Sequence, residues 1–192
     1  MSILDDRLDR LEEEIKKPSF RQNKCLSNEV GYYIFDYPAA DELLVRSRIE
    51  YIKSKNESSA DDYRIKVFDL YDIMIEILQS KGRLEKCFDI EKKNGFEKLS
   101  HGISNLLKVN STDGLIVRYI EERIDEKNII FVTGIGKCYP IIRSHTILNN
   151  LHMVIDNVPV IMLYPGKYTG QELILFNELK DDNYYRAFKI VE

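Results

Sequence analysis

Ile129-Ile130-Phe131-Val132-Thr133-Gly134-Ile135-Gly136-Lys137-Cys138 sets the architecture. Its first five residues carry no apolar–polar alternation. A strand with one wet face alternates, so an unbroken run belongs in the middle of a parallel sheet covered by helices on both sides. The glycine pair then turns the chain from strand to helix. A phosphate-binding loop needs glycine five residues before the Gly-Lys pair and Ser or Thr after it. Those positions hold Phe131 and Cys138. A dinucleotide fingerprint needs a third glycine where Tyr139 stands. Two readings stay open: a structural turn, or an anion contact at a helix N-terminus through Gly134, Gly136 and Lys137.

Reading outward, Val30-Gly31-Tyr32-Tyr33-Ile34-Phe35 is aromatic and β-branched, and Asp36-Tyr37-Pro38 ends it. Asp41 opens a helix carrying Leu44, Val45, Ile49 and Ile52. Residues 55–62 form a polar loop, and Arg64 to Phe68 is a second strand stopped by Asp69. Strand, helix, strand is a parallel βαβ unit. Residues 70–127 carry helical spacing and form a predominantly helical insert lobe, with breaks at Gly82 and Gly95. Pro140 suits a first helical position before a helix over Ile141–Leu151. Val158–Tyr164 is a strand, Pro165-Gly166 a turn, and residues 173–176 and 188–191 short terminal strands. The expected fold is a single α/β domain over residues 1–192, with a mostly parallel, Rossmann-like sheet flanked by helices. Residues 1–17 form an N-terminal docking helix, capped by Ser2 with Asp5 and stopped before Pro18. Its stripe of Leu4, Leu8, Leu11 and Ile15 must dock on something: the chain's own domain, or a partner.

The composition excludes several classes. Of 192 residues, 44% are hydrophobic, with nine Gly and five Pro, which excludes a disordered or low-complexity chain. A net charge of −4, with no basic run, argues against a dedicated nucleic-acid binder. No signal peptide or membrane span is expected, and the location expected is cytoplasmic. Three cysteines, Cys25, Cys87 and Cys138, make neither a CxxC pair nor a disulfide framework. Cys138, beside Gly136 and Lys137, is the thiol to test for reactivity. Three scattered histidines give no metal spacing, so neither metal nor cofactor is expected.

Three further groups of residues could carry function. Asp36 and Asp69 each follow a Phe at the end of an expected strand, which places them on the sheet edge that holds Gly134 and Gly136. There they either hold Mg²⁺ through water or serve as turn and cap residues. Arg143 and His145 sit on the following helix, where Arg143 suits an anion; adjacent Ser144 and His145 point apart and make no catalytic dyad. Tyr164 and Tyr168, followed by Asp181, Asp182, Tyr184, Tyr185 and Arg186, have the composition of a polar contact surface, or of tyrosines packed on a sheet edge.

Gly134-Ile-Gly136, Pro140-Ile-Ile-Arg143-Ser144-His145, Leu148-Asn-Asn-Leu151, Val158-Pro-Val160, Tyr164-Pro-Gly-Lys-Tyr168 and Asp181-Asp-Asn-Tyr-Tyr-Arg-Ala-Phe188 occur in that order. Together with Tyr33-Ile-Phe-Asp-Tyr-Pro38 and Asp41-Glu-Leu-Leu-Val-Arg46, they resemble the BrxB family of BREX (bacteriophage exclusion) operons. The match is weakest over residues 80–127. The resemblance implies a part in phage defence beside an adenine methyltransferase (PglX), an alkaline-phosphatase-like protein (PglZ) and a large ATPase (BrxC). It implies no chemistry for the family member itself, in line with the failed catalytic motifs. The expectation is a non-catalytic adaptor that binds PglZ or BrxC. A nucleotide- or anion-sensing domain is the alternative, and DNA contact inside an assembled complex a weaker one.

Overall fold

A computed structural model describes residues 2–21, 31–181 and 187–192. The helices are α1 (Ile3–Lys16), α2 (Pro18–Arg21), α3 (Glu42–Glu57), α4 (Leu70–Ser80), α5 (Leu84–Leu107), α6 (Leu115–Glu121), α7 (Ile135–Cys138) and α8 (Ser144–His152). The strands are β1 (Tyr32–Tyr37), β2 (Arg64–Asp69), β3 (Asn128–Thr133), β4 (Val160–Tyr168), β5 (Leu173–Leu175), β6 (Leu179–Asp181) and β7 (Phe188–Lys189). The order β2-β3-β4-β1-β7 is parallel throughout, and β5 and β6 form an antiparallel extension of β4. The protein is thus α/β, with a mostly parallel sheet flanked by helices.

The unbroken runs follow from burial on both faces. Ile130, Val132, Val160, Met162, Tyr32 and Ile34 share one core with α4, α5, α6 and α8. Their sequence neighbours Ile129, Phe131, Ile161, Leu163, Tyr33 and Phe35 share the other with α1 and α3. The chain crosses the sheet from β1 to β2 through α3, then returns through β3 to β4 by helices on the opposite face. Reversal of direction with a constant crossover hand requires that change of face.

The capping box of α1 is present: the Ser2 hydroxyl accepts from Asp5 N–H at 3.1 Å, and the Asp5 carboxylate accepts from Ser2 N–H at 2.9 Å. Leu4, Leu8, Leu11 and Ile15 are 8% exposed or less and lie in the α3 core. Of the two dockings open to that stripe, the chain's own domain or a partner, the fold shows the first: the stripe covers a sheet face that would otherwise be bare. Polar bonds reinforce the seat. Glu12 accepts from Lys55 at 2.6 Å and Lys16 at 2.8 Å, and Arg48 bridges Asp9 and Glu12. Burial raises the Glu12 pKa, but the bonds from Lys16 and Lys55 outweigh it and hold the carboxyl below its ordinary value.

Two local expectations are corrected. Helix α8 starts at Ser144, and Tyr139-Pro140 lies in the turn between α7 and α8. Pro165-Gly166 is strand, not turn: β4 pairs with β1 up to Pro165 and with β5 from Gly166. Glycine is required at that exchange, because a Cβ on residue 166 would stand 2.1 Å from the Ile174 carbonyl oxygen. The continued strand buries Tyr164 and Tyr168 to 0% and 2% exposure, so of the two readings open for them they pack into the sheet and do not form a contact surface. Asp182, Tyr184, Tyr185 and Arg186 lie outside the described residues, as do Cys25 and the Asp181 side chain.

Candidate functional site

The carboxyl ends of β1, β2 and β3 open into a cleft of about 400 Å³. Apolar Val45, Ile49, Val67 and Leu163 help line it, and charged side chains from α3, α4 and α7 meet across it. In an open α/β sheet this edge, where successive connections leave to opposite faces, is where ligands bind.

Asp69 organises the cleft. Its Oδ1 accepts from the N–H groups of Tyr71 (3.0 Å) and Asp72 (3.2 Å), so it caps α4. Its Oδ2 meets Lys137 Nζ at 2.6 Å. The Thr133 hydroxyl donates to the same oxygen at 3.4 Å, and the Lys137 ammonium lies 5.4 Å from the centre of the Tyr71 ring. Gly134 stands against this carboxylate at φ +76°, where a Cβ would lie 2.4 Å from Asp69 Oδ1. A side chain there meets both a strained backbone and an occupied position. Gly136 has a different reason, since a Cβ there would meet the Phe176 ring at 2.8 Å. Of the expected site residues, Gly134, Lys137 and Asp69 therefore come together.

Asp36 does not join them. It is 5% exposed and accepts from Arg7 Nη2 at 2.7 Å and Tyr168 N–H at 2.9 Å, with Lys189 at 3.4 Å. Strands β1 and β2 are three steps apart in the sheet, about 14 Å at ordinary strand spacing. The two carboxylates cannot share one Mg²⁺, and each is already bonded to a cation. Among the described residues no group of three His, Cys, Asp or Glu could hold a metal ion. Arg143 and His145 lie on neither cluster. Arg143 is exposed at the N-cap of α8, and His145 is half-buried in its first turn.

Sequence reasoning missed Arg7, although it stands three residues after Leu4 and four before Leu11, on the inward side of α1. It also missed the wall opposite Asp69. There the Tyr37 hydroxyl donates to Glu42 at 2.5 Å, and Arg46 grips Glu42 through two nitrogens at 3.0 and 3.2 Å. Burial, then the bond to Glu42, pushes the Tyr37 pKa well up. Arg123 lies 3.6 Å above the Tyr119 ring, whose hydroxyl donates to Glu76 at 2.7 Å.

Cys138 is 1% exposed. Burial, then the negative charge of Asp69, pushes its thiol from an ordinary 9 up to about 12. The thiolate is the nucleophile, so the folded protein is expected to leave Cys138 unmodified by iodoacetamide at pH 8. Peptide mapping after alkylation, with and without denaturant, checks this; equal labelling in both states contradicts it. The sign for stability follows. The fold retains a proton that the unfolded thiol loses near pH 9, so this site contributes a loss of stability as pH rises from about 9 towards 12.

Residues 66–190 match the family model described as BREX protein BrxB. A BREX protein BrxB from Bacillus cereus (strain H3081.97) is 49% identical over 194 residues, covering 100% of both chains. One from Escherichia coli O9:H4 (strain HS) is 31% identical over 191 residues, covering 98% of this chain and 92% of its own. No solved structure matches. Among the described residues no helix is long and apolar enough to cross a membrane. A family match over most of the chain and two full-length relatives agree with the resemblance drawn from the motifs: the chain belongs to the BrxB family, and so is a component of a BREX phage-defence system.

Proposed function

We propose that the chain is a non-catalytic adaptor in BREX assembly, working in the cytoplasm by binding other BREX proteins. The observation that carries this reading is the mutual neutralisation of the chemistry-bearing groups at the sheet edge: Asp69 with Lys137, Glu42 with Arg46, and Asp36 with Arg7. A general base or nucleophile needs a free or tuned group, and the buried thiol is tuned the wrong way. Large apolar side chains stand in solvent instead: Ile3 is 82% exposed, Leu43 74%, Met153 75% and Phe88 56%. A net charge of −4 favours protein partners over nucleic acid. A PglZ-like phosphatase-fold protein is the first candidate partner and a BrxC-like ATPase the second. The sequence string Asp182-Asn183-Tyr184-Tyr185-Arg186 belongs to the proposed contact on its composition.

Co-expression of tagged protein with the other products of its operon tests this. Recovery of one of them in fixed ratio, after washing at mild salt, is the expected result. Recovery of the tagged chain alone contradicts the adaptor reading.

A further inference from the structure

Helix α5 is held to the core mainly by its second half. Leu99, Ile103 and Leu107 are buried there, whereas before Leu99 only Cys87 is buried, with Leu84 and Ile90 half-buried. Gly95, at φ +81°, kinks the helix between the two parts, and residues 91–98 are exposed without a break. Phe88 and Phe96 stand in this outer part at 56% and 46% exposure. A helical segment shorter than about 12–15 residues is marginal in water unless a face is packed or its charges pair along it. Among the described residues none of the charged side chains at 85–98 is in an ion pair, whereas Lys16 with Glu12 and Arg46 with Glu42 are. The outer part of α5 therefore has two aromatic rings in solvent and little of its own chain to pack on.

The order of its charges says what covers it. Glu85, Lys86, Asp89 and Glu91 precede the point between residues 91 and 92; Lys92, Lys93, Glu97 and Lys98 follow it. The first group is net negative and the second net positive. Counting outward from that point, Glu91 stands opposite Lys92, Lys86 opposite Glu97, and Glu85 opposite Lys98. The segment is thus its own electrostatic complement when a second copy runs antiparallel to it, while a parallel copy sets like charges together. An antiparallel pair is what a two-fold axis generates. The same register sets Phe88 of one copy against Gly95 and beside Phe96 of the other. Among the described residues no atom outside the adjoining helix backbone lies within 4 Å of where a Cβ on Gly95 would stand, so a ring has room there.

We propose that residues 84–98 are a homodimer interface, in which two copies pair antiparallel about a two-fold axis near residues 91 and 92. Phe88 and Phe96 flank its centre, and the three charge pairs, each made twice, form its rim. Fifteen residues a side is fewer than the roughly 20–30 of a standard interface, so the affinity expected is micromolar. This dimer is separate from the adaptor role and needs no other BREX product. Of the exposed apolar side chains it takes Phe88 and leaves Ile3, Leu43 and Met153 to other partners.

Sedimentation equilibrium of the full-length chain, from about 5 to about 500 µM, tests the proposal. The mass is expected to rise from 22.6 kDa towards twice that value, with a Kd of about 10–100 µM. Phe88→Ala is expected to weaken the dimer about tenfold. Two charge variants test the register. Glu85→Lys with Glu91→Lys leaves both halves of the segment basic, and Lys92→Glu with Lys98→Glu leaves both acidic. Each alone is expected to dimerise at least about tenfold more weakly than the parent, and their equimolar mixture about as tightly as the parent, because every opposed pair is restored between unlike copies. All the substituted side chains are exposed, so circular dichroism and melting of the variants at dilution should match the parent. A parent that stays at 22.6 kDa up to about 500 µM overturns the proposal. So does a dimer that Phe88→Ala and both charge variants leave intact, or a mixture no tighter than its components. A BREX protein captured through Phe88 by a chain that stays monomeric gives this face to that partner and overturns it as well.

Discussion

Asp36→Ala is expected to lower the unfolding free energy by about 3–5 kcal/mol, the range seen when one member of a buried ion pair is removed. Asp36 is 5% exposed, and the Arg7 side chain that it holds is only 13% exposed. The guanidinium reaches the pair from α1, lies 4.9 Å from the centre of the Phe35 ring, and also donates to the carbonyl oxygens of Asp36 (2.8 Å) and Val191 (3.3 Å). Those carbonyls remain in the variant, but the counter-charge does not. The Tyr168 amide, bonded to the other carboxylate oxygen at 2.9 Å, loses its acceptor in a buried position. A single substitution therefore loosens α1, β4 and the terminal β7 together. Asp36→Asn should fall between parent and alanine, since it keeps an acceptor for the Tyr168 amide while losing the charge. Asp62→Ala is the control. Asp62 also meets an arginine, Arg21, but its side chain is 83% exposed, and a pair in water contributes little to stability. Urea denaturation at pH 7, followed by circular dichroism, reads all three. A loss below about 1 kcal/mol for Asp36→Ala would show that the pair is solvated and dispensable.

The contrast between Asp36 and Asp69 shows what the sequence can carry. Both were legible as strand-end carboxylates, because a Phe-Asp step closes an apolar run in each case. Asp69 lies on the edge expected of it, beside Gly134, because Gly134 and Lys137 follow β3 and β3 is the neighbour of β2; its ion pair with Lys137 is a finding of the fold. Asp36 went elsewhere because β1 is not that neighbour, and strand order is a property of the whole sheet that no local pattern encodes. The unbroken run at residues 129–133 located a doubly covered strand for a local reason, namely side chains buried on both faces. Pro165-Gly166 misled for an equally local reason. The pair has turn chemistry, yet here the glycine answers a close approach of the β5 backbone, which only the folded hairpin reveals.

The stripe on α1 is the hardest case, and it yields the second large effect. Four-three-four spacing is the same whether a helix covers its own sheet or a partner, so periodicity alone left the choice open. With Leu11 at 0% exposure in the α3 core, Leu11→Ala is expected to cost about 2–5 kcal/mol in a denaturant titration, as for other buried leucine truncations. Ile3→Ala on the same helix should change stability by less than about 0.5 kcal/mol, because Ile3 is 82% exposed. The pair also separates stability from recruitment. If α1 serves the fold through Leu11 and offers only its outer side to partners, Leu11→Ala should keep partner recovery at temperatures where it remains folded. Should Leu11→Ala instead leave the denaturation midpoint unmoved and abolish recovery of a BREX partner, the stripe would be an interface after all. The docking of α1 on Tyr33, Phe35 and Val45 would then have to give way when the partner arrives.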